Sequence, residues 1–304
     1  MSARLCWRTE WQLGTALSRS LEKISVGLIG EGISASRTPA MHEAEGAAHG
    51  IDYNYRLIDM VEKSPVDLGA LLAEIEAEGF AGVNVTHPFK QQVLCHVTER
   101  APEVERVGAC NTVLFEAGGR RAHNTDYLGF LHGFRTELGA VPHDLVLLLG
   151  AGGAGRAVGL ALAEAGVADL RIHDSNEAAA DRLAGDVRRL FPKIRAASIE
   201  PSMLAELTPD GIVNATPVGM AAHPGMPIDR CLLENRPWVA DIVYFPLETE
   251  LLEAARGLGC ITMSGRGMAV MQAVKAFELF TGVAADPDRM AETFDSFDSR
   301  GHAR

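Results

Sequence analysis

Short apolar runs alternate along the chain with stretches whose apolar residues recur at helical spacing. ISVGLIG (24–30) reads as a buried strand, a helix follows near residues 38–49, and YNYRLID (53–59) reads as a second strand. In VDLGALLAEIEAEG the residues Leu68, Leu71, Leu72 and Ile75 keep the 0, 3, 4, 7 spacing of one helix face. GVNVT then ends a short strand at Thr86, turns through His87-Pro88 and presents Lys90. Such alternation predicts a parallel α/β sheet. A second series opens after Pro142 with DLVLLLG, a glycine-rich turn and a helix through Ala165. It continues with DLRIHD, a helix near 176–190, GIVNAT, WVADIV and CITM, the order of a doubly wound sheet. After Gly267, Val270, Ala273, Val274 and Phe277 mark one face of a last helix. Packed back onto the first series, that helix makes the first domain discontinuous in sequence.

Length changes the picture by pointing to two units, because 304 residues exceed the usual span of one hydrophobic core. The expected organisation is an extension over 1–23, an α/β domain over 24–123 completed by C-terminal helices over 265–304, and a dinucleotide-binding domain over 124–264. A formal charge of -12 argues against nucleic-acid and membrane-surface partners, which are polyanions that call for clustered Lys and Arg. No apolar run of bilayer-spanning length occurs, and the first twenty residues lack the apolar segment of a secretory signal. The five cysteines (Cys6, Cys95, Cys110, Cys231, Cys260) show no metal-like spacing and are expected to be reduced core residues of a cytoplasmic protein.

The strongest local signal is LVLLLGAGGAGRAVGLAL, where Gly150, Gly152 and Gly155 stand in G-x-G-x-x-G register between an apolar strand and an Ala-rich helix. Gly150 allows the tight turn, Gly152 lets the backbone approach a pyrophosphate, and Gly155 permits close packing of the helix. Ala151, Gly153 and Ala154 complete the loop, whose backbone N–H groups open the helix. The second strand of this unit ends at Asp174, about 20 residues on, where a carboxylate accepts the ribose hydroxyls of NAD. It would repel a 2′-phosphate by about 4 kcal/mol per unit charge at ~4 Å. NAD is therefore the expected cofactor and NADP the weaker alternative, with Arg182 placed to soften the discrimination. The other role open to Asp174 is capping the helix that starts near Asn176.

Four polar clusters in the first series fall where strands end or helices begin: SASRTPAMH, NVTHPFK, GACNTV and HNTDYLGF. With NATPVGM, DIVYFPLETELL and SGRGMAVMQ they resemble the shikimate dehydrogenase superfamily over residues 24–282. The first cluster departs from the commonest pattern of two serines one residue apart; here Ser36, Arg37, Thr38 and Pro39 stand there. Together with Asp174 this form looks like the NAD-dependent quinate/shikimate dehydrogenase branch. The resemblance implies an α/β, two-domain enzyme with an N-terminal substrate domain and a Rossmann domain.

By the same resemblance Lys90 and Asp126 form the catalytic pair, while Ser36 and Thr38 hold the carboxylate of a small polyol acid. Thr86, Asn111, Tyr244 and Gln272 meet its ring hydroxyls. Thr216, Met220, Val243, Gly265 and Met268 lie on the nicotinamide side. No metal is implied. Alcohol oxidation needs a proton acceptor within hydrogen-bond reach of the oxygen as hydride leaves its carbon. An isolated Lys, with a pKa of about 10.4, is a poor base, and burial and a neighbouring carboxylate move it in opposite directions. Lys90 is thus proton acceptor or relay. Taken singly, Lys90 reads as a solvated lysine, and Ser36, Thr38 and Asp126 as helix caps. The expected reaction is NAD-dependent oxidation of the C3 hydroxyl of quinate or shikimate. Its rivals are an NADP-linked biosynthetic shikimate dehydrogenase and a nucleotide-sensing protein without turnover.

Overall fold

A computed structural model describes residues 23–61, 63 and 66–301, so the expected extension lies outside the described residues apart from Lys23, which already belongs to the first strand. Six strands make the first sheet: β1 Lys23–Gly30, β2 Asp52–Asp59, β3 Gly82–Val85, β4 Glu99–Arg100, β5 Thr112–Glu116 and β6 Gly119–His123. Their order is β2-β1-β3-β5-β6-β4. Helices α1 (Thr38–Ala48), α2 (Leu68–Ala77) and α3 (Pro102–Val107) connect them. The face expected for α2 holds: Leu68, Leu72 and Ile75 are buried against β3, β5 and β6 residues such as Val83, Val113 and Ala122.

The sheet is mixed rather than wholly parallel. β5 runs antiparallel to both β3 and β6. The β5–β6 hairpin closes on the two residues Ala117-Gly118, a connection that only antiparallel neighbours can use. Its second strand, Gly119–His123, carries two arginines and little apolar patterning, so alternation of strands and helices did not reveal it.

The second sheet is parallel throughout, as the doubly wound pattern requires. Its strands are β7 Leu145–Leu149, β8 Asp169–His173, β9 Arg195–Ser198, β10 Gly211–Asn214, β11 Trp238–Asp241 and β12 Thr262–Met263. In the order β12-β11-β10-β7-β8-β9 the direction of winding reverses at β7 and β10. A crevice opens beyond the carboxyl ends of strands at such a switch point. Helices α5 (Gly153–Ala165), α6 (Glu177–Leu190) and α7 (Glu250–Gly257) belong to this sheet.

Between the two sheets runs α4 (Thr125–Gly133), continued by a π-helical turn over Phe134–Leu138. The last helices are α8 (Gly265–Thr281) and α9 (Pro287–Gly301). Met268, near the start of α8, is buried with Tyr127 and Phe130 of α4 in the core of the second sheet. Farther along, Val274, Phe277 and Phe280 pack with Ile24, Val26 and Tyr53 of β1 and β2, where Phe294 of α9 joins them. The chain thus returns to its first sheet. Among the described cysteines only Cys110 and Cys260 are core residues; Cys95 and Cys231 are exposed because each sits in a short 3₁₀ turn at the surface. No helix among the described residues is long and apolar enough to cross a membrane.

Candidate active site

The wholly buried strand β3 explains the placement of Lys90. The strand leaves the sheet at Thr86, whose N–H still reaches the Ile29 carbonyl at 2.9 Å, and Phe89, 3% exposed, pins the turn. The Lys90 carbonyl accepts the Cys110 N–H at 2.9 Å, tying the turn to the strand that follows. Asp126 arrives from another direction, in the first turn of α4, where Asn124 caps the helix by accepting the Tyr127 N–H at 3.0 Å. Asp126 is therefore free of the capping role. Its Oδ2 accepts a hydrogen bond from Lys90 Nζ at 2.6 Å. The side chains keep 23% and 13% of their exposure, so the pair is open to a ligand on one side. An ammonium carries three N–H donors, and one bond to Asp126 leaves two for a substrate oxygen.

A buried polar network stands behind this pair. Asn111 Oδ1 accepts from the Thr125 N–H at 2.7 Å and from the Thr112 hydroxyl at 3.1 Å, while Asn111 Nδ2 donates to Thr125 Oγ1 at 3.0 Å. Asn84 of β3 donates to Thr112 Oγ1 at 2.9 Å and accepts the Tyr55 hydroxyl at 2.8 Å. Asn111 is only 4% exposed, so most of its amide locks the start of β5 onto the start of α4. One amide N–H is left for a ligand. Tyr55 does not stand out in the sequence, and Asn84 enters only as the first residue of the NVTHPFK cluster, because each reads as a strand residue until its partners from distant strands are known.

The glycine-rich turn leaves the carboxyl end of β7 and leads into α5. Gly150 has φ +95°, the left-handed conformation that favours glycine, and a Cβ there would lie 2.7 Å from the Ala215 carbonyl oxygen. A Cβ on Gly155 would stand 2.1 Å from the Gly150 carbonyl oxygen, so the close approach is of α5 onto the turn itself. At Gly152 a Cβ would meet nothing within 4 Å. That position opens outward at the N-terminus of α5, the shape and polarity that a pyrophosphate needs. The turn therefore fits a dinucleotide. Asp174 leaves β8 and accepts the Ala151 N–H at 2.6 Å and the Asn176 N–H at 2.7 Å. It does not cap α6; Asn176 does, through the Ala179 N–H at 3.2 Å. Arg182 stands exposed on α6.

Residues 28–113 match the family model of the shikimate dehydrogenase substrate binding domain. A shikimate dehydrogenase (NADP(+)) from Arthrobacter sp. is 46% identical over 282 residues, covering 91% of this chain and 96% of the relative. The chain belongs to the shikimate and quinate dehydrogenase family. A quinate/shikimate dehydrogenase (NAD(+)) of Corynebacterium glutamicum is 45% identical over 278 residues, 90% of this chain and 98% of that protein. The solved quinate dehydrogenase from Corynebacterium glutamicum in complex with NAD superposes with a TM-score of 0.86 over 90% of this chain and 99% of that one, at 45% identity. Both sheets of this chain thus have counterparts in the family.

Within this family member the remaining expected residues fall on four segments: the start of α1, the loops after β10 and β11, and α8. Ser36 and Thr38, both partly buried, flank the N-terminus of α1, and the Ser36 hydroxyl accepts the Thr38 N–H at 3.4 Å. The N-cap of α1 is Arg37, with no side-chain capping bond, so neither hydroxyl serves as the cap. Tyr244 is 52% exposed in the loop after β11. Burial raises its phenol above the ordinary value, Lys90 and Arg37 pull it down and Asp126 pushes it up, while water at the open half of the residue relaxes the burial effect. Gln272 is partly buried on α8.

Nearer the glycine turn, the Thr216 hydroxyl donates to Asn214 Oδ1 at 2.7 Å, and Met220 is 41% exposed beyond it. Val243 and Met268 are buried, and Gly265 lies against the carbonyls of Ile242 and Val243. Behind them the carboxylate of Asp241, wholly buried, receives Asn214, Val243 and Thr249 hydrogen bonds at 2.8 to 3.0 Å. It joins the ends of β10 and β11 and fixes the loops that carry Thr216 and Tyr244.

Proposed function

We propose that this protein oxidises, reversibly and with NAD, the C3 hydroxyl of quinate, shikimate or both to the 3-dehydro acid. The reading is carried by the 2.6 Å contact of Lys90 with Asp126, two groups brought from different elements to one partly open position. Residues 24–123 and the C-terminal helices from 265 onward serve the acid, and residues 124–264 serve the dinucleotide. Ser36 and Thr38 anchor the substrate carboxylate beside the positive end of α1. Thr86, Asn111, Tyr244 and Gln272 orient the ring hydroxyls, which is a positioning role.

Lys90 donates a hydrogen bond to the reacting oxygen, and the hydroxyl proton is taken up by the Lys90–Asp126 pair. Gly152, Gly153, Ala154 and Gly155 would hold the pyrophosphate through backbone N–H groups, Gly150 and Ala151, whose own N–H groups go to His173 and Asp174, shape the turn, and Asp174 would receive the adenosine ribose. Thr216, Met220, Val243, Gly265 and Met268 enclose the nicotinamide end. Bound NAD supplies the hydride acceptor. The small acid and the dinucleotide are the expected partners. The free thiols of the described cysteines suit a reducing cytoplasm.

The test is a matrix of quinate and shikimate against NAD and NADP, following formation of the reduced cofactor. Turnover of at least one acid with a higher kcat/KM for NAD is expected. Preference for NADP would refute the cofactor assignment, and inactivity toward both acids with both cofactors would refute the reaction.

A further inference from the structure

We propose that Arg37 is a positioning residue of the substrate site, joining the Ser36 and Thr38 hydroxyls to the Tyr244–Phe245 turn so that substrate binding and docking of that turn occur together. This rests on the reading of Ser36 and Thr38 as the carboxylate anchor. Arg37 stands between them in sequence and is 7% exposed, an unusual depth for an arginine. Its side chain runs toward α9, where Nη1 donates to the Phe294 carbonyl at 3.0 Å and the guanidinium carbon lies 4.5 Å from the Phe294 ring centroid. The Phe297 ring is 5.6 Å away.

A third ring comes from the other side of the site. Phe245, carried on the loop after β11, has its centroid 5.8 Å from the same guanidinium carbon. Phe245 is 56% exposed and Tyr244 52%, so two neighbouring aromatics of the second unit stand open to water beside a buried cation of the first. Attraction between a guanidinium and an aromatic face grows as water is removed from around it. A polyol acid seated on Ser36 and Thr38 and reached by Tyr244 fills the space between these elements. Its presence expels water there and strengthens the contact of Arg37 with Phe245. Docking of the turn and tighter holding of the acid then become reciprocal, as linkage demands of two coupled events.

The experiment is a double-mutant cycle on the full-length protein with Arg37→Met, Phe245→Ala and the combined variant, plus Arg37→Lys. Steady-state KM for the acid, kcat, NADH binding and Tm are measured for each. Each single variant is expected to raise KM for the acid by roughly three- to thirtyfold, the span of such contacts, with a smaller change in kcat and NADH binding unaltered. The combined variant is expected to be no worse than the worse single one. Arg37→Lys falls between, since it keeps the charge but loses the flat stacking surface.

A residue that only docks α9 would instead lower Tm in Arg37→Met and leave Phe245→Ala at the parent KM. That result, or additive effects in the combined variant, overturns the inference alone. Inactivity of the unaltered protein on every polyol acid overturns the functional reading and this inference with it.

Discussion

The Asp174 carboxylate accepts the Ala151 N–H at 2.6 Å, so the residue proposed to receive the adenosine ribose also holds the glycine-rich turn. Replacing it therefore does more than remove a repulsive charge. Asp174→Asn should raise the KM for NAD by about tenfold to a hundredfold, the range set by losing charge-assisted hydrogen bonds. NADP turnover should gain far less than NAD turnover loses, because the turn that binds either pyrophosphate loosens. Parallel kcat/KM measurements with the two cofactors decide the matter; an Asp174→Asn enzyme that keeps its NAD efficiency within twofold removes the turn from the explanation.

Lys90 and Asp126 make a pair whose members depend on each other. Lys90→Ala and Asp126→Asn should each lower kcat by about 10² to 10⁴, the usual contribution of a positioned acid–base group. Losses in the combined variant should fall well short of the product of the single ones, as for groups that act as a unit. Each variant should still bind NADH with parent affinity, since the glycine turn is untouched. Single-turnover rates with saturating cofactor provide the check.

Gly152 and Gly155 should respond in opposite ways to a methyl group. Gly152→Ala adds an atom that meets nothing within 4 Å of the protein, so Tm should hold while NADH affinity falls at least about tenfold. Gly155→Ala places its methyl 2.1 Å from the Gly150 oxygen and should destabilise the fold by about 1–3 kcal/mol. Thermal unfolding and NADH titration on both variants separate the two effects. Equal loss of stability in Gly152→Ala would contradict the open geometry at that position.

His42 sets a pH dependence of stability. It is wholly buried, with Nδ1 2.9 Å from the Tyr53 hydroxyl, and burial lowers its pKa to about 3, while the Ala273 backbone acts in the other direction to a lesser degree. The unfolded chain binds this proton near pH 6.5 and the folded chain only near 3. Stability from the neutral imidazole is thus complete above about 6.5 and falls with decreasing pH through that window, by about 1.4 kcal/mol per pH unit. Denaturant unfolding of the parent and His42→Gln between pH 7 and 4 should show a shallower slope for the variant. Equal slopes would assign the acid sensitivity elsewhere.

The substrate side was legible as a set of polar clusters but not as a geometry. Thr125, which sequence marks only as the neighbour of Asp126, proves to be wholly buried and bonded to Asn111, so the two clusters GACNTV and HNTDYLGF are one network. Arg37 has no role in the sequence beyond standing between Ser36 and Thr38, and only the return of α9 shows where its side chain goes. The exposed turn at Cys95 and the antiparallel β5–β6 hairpin escaped for a related reason: solvent exposure and strand partnership are properties of the assembled sheet.

From the chain alone came whatever depends on neighbours within a few turns: the helix faces at Leu68, Leu72 and Ile75, the G-x-G-x-x-G turn with its strand and helix, and the carboxylate at the end of the next strand. Local backbone geometry dictates these, so local spacing reveals them. The tertiary structure decided which groups meet. Lys90 and Asp126 are 36 positions apart, and Arg37 and Phe294 are 257 apart; such contacts arise only when sheets and helices pack and bring distant charges and rings into a shared, water-poor space.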